Sequence, residues 1–215
     1  SFPAFFTLTI NGSRIESNHA NWGGGLFANA TVNIMDTTII LNSASKSGGG
    51  IYSVYSTSVG RSIIQKNKAN FGGGIFNGPE GAPSITPGMV IFETDISENQ
   101  AAINGGGIAN QQGMNLTNTT ISNNRAGQKG GGVYNQTIST ASGISTTAGK
   151  LYVINSTISG NISSSKQGGG IWSGGEGTYA NLEALNVTIA FNQGTGLYFH
   201  QGLLSLTNVL LANNT

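Results

Sequence analysis

The sequence predicts an all-β solenoid, a parallel β-helix of about eight coils with about 25 residues in each coil. Three observations lead to this fold class. Glycine triplets return at near-constant spacing, an apolar residue stands three positions before an asparagine in every unit, and apolar and polar residues alternate ahead of that pair. A repeat of this length cannot bury its apolar face alone, so the repeats are expected to stack as one domain over residues 1–215.

The glycine triplets set the length of the repeat. Successive copies start 25, 24, 33, 25, 38 and 26 residues apart, which indicates a base unit of about 25 residues and larger insertions. Ordering glycine is entropically costly, so we expect tight turns with φ > 0 and no space for a Cβ at these positions. The copies are Gly23–Gly25, Gly48–Gly50, Gly72–Gly74, Gly105–Gly107, Gly130–Gly132, Gly168–Gly170 and a degenerate GTG at Gly194–Gly196.

An apolar anchor and an asparagine recur upstream of the triplets. The pairs are Ile15/Asn18, Ile39/Asn42, Ile64/Asn67, Ile96/Asn99, Ile121/Asn124, Ile158/Asn161, Ile189/Asn192 and Leu211/Asn214. Asparagine tolerates left-handed backbone, and its amide can hydrogen-bond the equivalent amide of the next coil. The spacing therefore predicts a structural asparagine ladder at a bend.

Strand alternation precedes each anchor. Leu8 and Ile10 stand seven and five positions before Ile15, and the same spacing returns in later units. This period of two is typical of β-strands. We expect three short strands in each coil, with equivalent residues of successive coils stacked about 4.8 Å apart.

Three units resemble a known repeat family. "TISNNRAGQKGGGVYN", "TISGNISSSKQGGGIWS" and "DISENQAAINGGGIAN" resemble the GGA[ILV] and FxxN repeats of the polymorphic outer-membrane proteins and of bacterial surface proteins with β-helix repeats. The resemblance covers nearly the whole chain, with GGG in place of GGA. It implies a right-handed parallel β-helix that is exported, often as an adhesin or passenger segment, and it implies no catalytic residues.

The composition limits the possible partners. Nine Lys and Arg residues face eight Asp and Glu residues, which gives a net charge of +1 and argues against nucleic-acid binding. The chain has no cysteine, which excludes disulfides and thiolate metal sites. No apolar run approaches the roughly 20 residues of a membrane-spanning helix. We expect no cofactor and no metal.

An aromatic column follows the apolar residue after each triplet. Alternation predicts that this column faces outward. Its aromatic members are Phe27, Tyr52, Phe76, Tyr134, Trp172 and Tyr198. Two interpretations stay open: a stack that stabilises the strands, or an exposed stripe that contacts a neighbouring subunit or sugar rings. Insertions near 77–88, 135–149 and 173–181 follow this column, and they either mark a working edge or fold back over the aromatic rings.

The best cluster of carboxylates is Glu93, Asp95 and Glu98, with Arg61 one coil below. Glycosidases and lyases on this fold need clustered acids. Asp36, Arg61 and Glu93 occupy one repeat position on consecutive coils, and alternating charges in a column favour structural salt bridges. We therefore predict no catalytic residue, although enzymatic activity is left open.

Neither end of the sequence carries a helix or a polar cap, so we expect a segment of a longer chain or a subunit that stacks head-to-tail. The preferred hypothesis is an extracellular or cell-surface structural or adhesive protein that acts through self-association, as a filament or surface layer, or through surface contact. Its partner would be another copy, head-to-tail or lateral, or else a glycan or a host or neighbouring cell surface. The alternative is a polysaccharide-binding or polysaccharide-degrading protein.

Overall fold

The computed structural model describes residues 7–78, 88–136, 149–175 and 180–215, together with the backbone of strands at 139–140 and 143–144. Every regular element in these ranges is a β-strand, and no helix there is long and apolar enough to cross a membrane. The first three coils contain β1 (Thr7–Asn11), β2 (Arg14–Glu16), β3 (His19–Trp22), β4 (Leu26–Ala28), β5 (Thr31–Met35), β6 (Thr38–Ile40), β7 (Ser43–Ser47), β8 (Ile51–Ser53), β9 (Thr57–Gly60), β10 (Ile63–Gln65), β11 (Lys68–Phe71) and β12 (Ile75–Asn77).

The remaining strands continue the same order around an inserted hairpin. They are β13 (Met89–Phe92), β14 (Asp95–Ser97), β15 (Gln100–Asn104), β16 (Ile108–Asn110), β17 (Met114–Thr117), β18 (Thr120–Ser122), β19 (Arg125–Ala126), β20 (Val133–Gln136), β21 (Ser139–Thr140), β22 (Gly143–Ile144), β23 (Lys150–Ile154), β24 (Thr157–Ser159), β25 (Ile162–Ser163), β26 (Ile171–Gly174), β27 (Asn181–Ala190), β28 (Leu197–Phe199) and β29 (Leu204–Ala212). Strands β21 and β22 pair antiparallel with each other.

Parallel pairing between equivalent strands of successive coils builds the stack. A first column runs β1-β5-β9-β13-β17-β23-β27, a second runs β2-β6-β10-β14-β18-β24-β27, and β29 pairs with β27 along both. A third column runs from β3 to β25 and a fourth from β4 to β28, each as a separate sheet. This topology confirms the predicted parallel β-helix.

The six coils from β1 to β26 each contribute one strand to each of the four columns, so the prediction of three strands was wrong; in the next coil β27 runs through the first two columns as one strand. The residue three positions before the anchor takes left-handed backbone, as at Asp36 (φ 50°) and Asn118 (φ 50°), and this kink separates the first column from the second. Alternation of apolar residues cannot indicate such a kink, because inward residues continue on both sides of it.

The first and second glycines of a triplet are required for two different steric reasons. Gly48 has φ 68°, a conformation that favours glycine. Gly49 lies against the next coil, where a Cβ would overlap the carbonyl oxygen of Gly73 and the backbone of Lys68. The first glycine of a triplet therefore turns the chain, and the second allows the coils to reach their stacking distance.

Aliphatic ladders fill the inside of the coils. The anchors Ile39, Ile64 and Ile121 are fully buried, as are residues after the triplets such as Ile75 and Ile108. The equivalent anchors of the first and last described coils, Ile15 and Leu211, are less covered. The core is therefore continuous along the axis of the described coils.

Candidate contact surfaces

The asparagine ladder runs unbroken through all eight predicted positions. The Asn67 side chain shows the pattern: its Oδ1 accepts from the backbone N–H of Asn42 at 2.9 Å and from Asn42 Nδ2 at 3.1 Å. Its own Nδ2 donates to Asn99 Oδ1 at 3.0 Å and to the carbonyl of Ile39 at 2.9 Å. The positions are Asn18, Asn42, Asn67, Asn99, Asn124, Asn161, Asn192 and Asn214.

The left-handed backbone at this bend lies one residue earlier than the sequence suggested. Ser17 (φ 57°), Lys66 (φ 55°) and Phe191 (φ 57°) take the positive φ, and the asparagine after each of them does not. The turn therefore accepts several residue types. The asparagine is placed there for its buried amide rather than for its backbone conformation.

A second asparagine ladder, absent from the sequence interpretation, lies where the fourth column ends. Asn77 Nδ2 donates to Asn110 Oδ1 at 2.7 Å, and Asn110 Nδ2 donates to Asn135 Oδ1 at 2.8 Å. All three side chains are fully buried. The signal is visible in the sequence, because each asparagine stands five residues after the first glycine of its triplet. This ladder anchors the stems of two insertions.

The aromatic column stacks, as one of the two open interpretations expected. The rings of Phe27 and Tyr52 lie 5.2 Å apart between centroids, those of Tyr52 and Phe76 5.0 Å apart, and each pair is nearly parallel. Ala109 interrupts the column, which then resumes with Tyr134 and Trp172 at 4.6 Å and with Trp172 and Tyr198 at 6.4 Å.

The expected exposure of this stripe is wrong for its central rings. Tyr52, Phe76, Tyr134 and Trp172 are all at least 94% buried, since the largest exposed fraction among them is 6%. Neighbouring members of the column lie on both faces of each central ring, with Ala109 next to Phe76 and Tyr134. Val54 and Phe71, from outside the column, also pack against this cluster.

The Nζ of Lys129 also lies 4.9 Å from the Trp172 ring centroid. In the aromatic column, only Phe27, which is 48% exposed, and the half-buried Tyr198 remain accessible at the surface. The predicted insertions extend beyond the described residues: 79–87, part of 137–148 and 176–179 lie outside them.

The acidic residues separate into different environments. Arg61 forms a two-pronged pair with Asp36, donating at 2.9 and 2.8 Å, and Glu98 pairs with Lys66 at 3.7 Å. Glu93 acts on Arg61 only through its charge. Asp95 lies on β14, in register with Ile63. Among the described residues no three His, Cys, Asp or Glu side chains form a group that could hold a metal.

These exposed ion pairs lower the pKa of their carboxyl groups, as a neighbouring guanidinium is expected to do. The hydrogen bonds from Arg61 lower the pKa of Asp36, and those from Arg14 lower the pKa of Glu16. Exposed pairs of this kind contribute little to stability because water and salt screen them. The Asp36–Arg61 pair links two consecutive coils, as the repeat position of these residues suggested, whereas Arg14 and Glu16 pair within β2.

A shallow depression lies at the start of the first column near the last coils. Its volume is about 440 Å³, and Lys150, Tyr152, Asn181, Glu183 and Leu204 are among its lining residues. Tyr152 is partly exposed and in register with Glu183. The sequence analysis did not identify this depression. The signal available in the sequence was an outward-facing tyrosine with an acidic residue at the equivalent position of the next coil.

The fold and these ladders define the class of protein as a parallel β-helix repeat protein. Two stretches, residues 36–54 and 118–136, match the repeat of the Chlamydia polymorphic membrane proteins. Each stretch spans the second, third and fourth strands of one coil, including the ladder asparagine and the triplet. No curated protein and no solved structure matches the chain. The chain is therefore similar to polymorphic membrane proteins in the repeat that builds its coils.

Proposed function

We propose that this chain is an extracellular or cell-surface structural and adhesive β-helix, which acts by contact rather than by chemistry. The observation that carries the proposal is the repeat match in two coils to the Chlamydia polymorphic membrane proteins, whose name places them at a membrane. A rigid stack of coils held by internal amide ladders suits a scaffold that presents long, flat faces.

Self-association is the mode of contact that we propose first. The inward residues Leu204 and Leu206 of β29 are 41% and 40% exposed, although the core residues with which they pair on β27 are buried. At the other end Leu8 of β1 is 46% exposed at an equivalent repeat position. A second copy that placed its β1 on β29 would continue the same ladders, and unpaired strand edges favour such addition.

Sedimentation of the purified chain over a range of concentrations tests this mode. Leu206→Lys places a charge in the inward column of β29, which should block edge pairing and keep the protein monomeric. Ser205→Lys is the matched control, since it adds the same charge one residue away on the outward face and should leave association intact. A wild-type chain that stays monomeric at every concentration, or equal association of both variants, would reject self-association through this edge.

A further inference from the structure

The basic residues of the chain are distributed unevenly around the coil. The third column and the turn that follows it carry five of the nine Lys and Arg residues. We call these five residues the basic face, and they are Lys46, Lys68, Arg125, Lys129 and Lys166. All are exposed except Lys129, which is half-buried.

The segment of the repeat that carries the basic face contains no acidic residue. In every repeat the stretch from the ladder asparagine to the glycine triplet lacks Asp and Glu, from residues 18–25 to 192–196. The nearest acid is Glu98, which lies at the corner before the third column and is paired with Lys66. Because these stretches are all described, the segregation of charge belongs to the folded surface and not only to the sequence.

The cations of the basic face have no carboxylate partner in the described part of the chain. The three ion pairs found there use Arg14, Arg61 and Lys66, all on the first sheet or its corner. Two members of the basic face lie over aromatic rings instead: Lys46 Nζ is 4.2 Å from the Trp22 ring centroid and Lys129 Nζ is 4.9 Å from that of Trp172. A cation–π contact, unlike an ion pair, brings no negative charge to the lysine.

The spacing of these charges follows the coil repeat. Lys68 is in register with Gln100, and Gln100 with Arg125, so the two cations lie two coils or about 10 Å apart. From the coil of Lys46 to that of Lys166 the basic face extends about 20 Å along the axis. Between the charges the third column offers polar side chains, including the exposed Ser45.

We propose that the basic face binds an acidic polysaccharide, a chain that carries carboxylate or sulfate groups at intervals along its length. Widely spaced cations match such a chain better than a nucleic acid, which carries a charge about every 1.7 Å along the duplex axis. The polar side chains between the cations, such as Ser45, suit sugar hydroxyls. This inference rests on the proposed contact function and names its partner.

Heparin oligosaccharide is the probe, and its affinity for the full 215-residue chain is measured by calorimetry at several salt concentrations. The test variant combines Lys46→Gln, Lys68→Gln and Arg125→Gln. The matched control combines Arg14→Gln, Arg61→Gln and Lys66→Gln, the three cations of the first sheet and its corner that are paired with acids. Each variant lowers the basic residues from 9 to 6 against 8 acids, so both reach a net charge of −2.

The basic-face variant should lose about tenfold or more in affinity and should show a weaker dependence on salt, because fewer counterions are released. The control should stay within about twofold of the wild type, since its cations are already neutralised by acids. Circular dichroism of both variants checks that the fold is retained. Neutral dextran should not bind to any of the three proteins.

Four results would overturn the inference: no heparin binding by the wild type, equal losses in both variants, tighter binding of single-stranded DNA, or tighter binding of phosphatidylserine vesicles. Sedimentation of the same variants without heparin separates this inference from self-association. The basic-face variant should associate like the wild type, because none of its changes lies on β1 or β29.

Discussion

The coil built from β9 to β12 and the coil begun by β29 use the same repeat positions with different results. Ile64 in the inner coil is fully buried, whereas its equivalent Leu211 is 48% exposed. Asn67 has hydrogen-bond partners on both sides, whereas Asn214 accepts from Asn192 but donates only to the Ile189 carbonyl. The contribution of a repeat residue to stability therefore depends on whether a coil covers it above and below.

The largest loss of stability is expected at a glycine whose backbone lies directly against the backbone of the next coil. Gly49→Ala would force a Cβ onto the Gly73 carbonyl and the Lys68 backbone, which are unable to move without separating the coils. We expect a loss of several kcal/mol, equivalent to about 10 °C or more in Tm. Thermal denaturation checks this prediction. Gly113→Ala is the matched control, because its Cβ would meet only ordinary contacts with Gly88, and an equal loss there would contradict the explanation.

A smaller effect is expected in the asparagine ladder. Asn67→Ala removes the acceptor for two donors of the buried Asn42. Since a buried donor without a partner costs about 1–3 kcal/mol, the free energy of unfolding should fall by about 3 kcal/mol. Asn18→Ala should cost less than about 1 kcal/mol, because Asn18 is exposed and acts only as a donor in this ladder. Urea denaturation of both variants would contradict the account if the two losses were equal.

The aromatic column provides the third contrast between inner and end positions. Tyr52→Ala should cost about 3 kcal/mol, as for other large buried rings. Phe27→Ala should cost about 1 kcal/mol or less, because its ring is 48% exposed, although it stacks on Tyr52. If the two substitutions proved equally costly by urea denaturation, burial would not explain the role of this column.

The sequence predicted the parts of this structure that depend on periodicity. The coil length, the parallel stacking and the position of the Asn67 ladder all follow from residues that recur at fixed spacing. The burial of Tyr52 and Trp172 did not follow, because the side chains that cover them come from other strands and turns, such as Phe71 and Lys129. The spacing of residues along the chain does not show how far the side chains of one column extend over those of a neighbouring column.

The basic face was overlooked for a related reason. Its five cations are spread over residues 46–166 on four different coils, so no local cluster in the sequence marks them. They become one surface only when the third column is separated from the second at the left-handed turn, for example at Lys66. The signal was the lack of acidic residues in one segment of every repeat, which the net charge of the chain conceals.

Hydrogen exchange of backbone amides at low and high protein concentration tests the proposed self-association most directly. Amides of β17 lie inside the stack and should be protected to the same degree at both concentrations. Amides of β29 should exchange quickly in dilute solution and gain protection when the protein is concentrated, because a second copy then pairs with that strand. If β29 exchanges at one rate at all concentrations, the exposed edge does not join copies of this chain, and the proposed mode of contact is wrong.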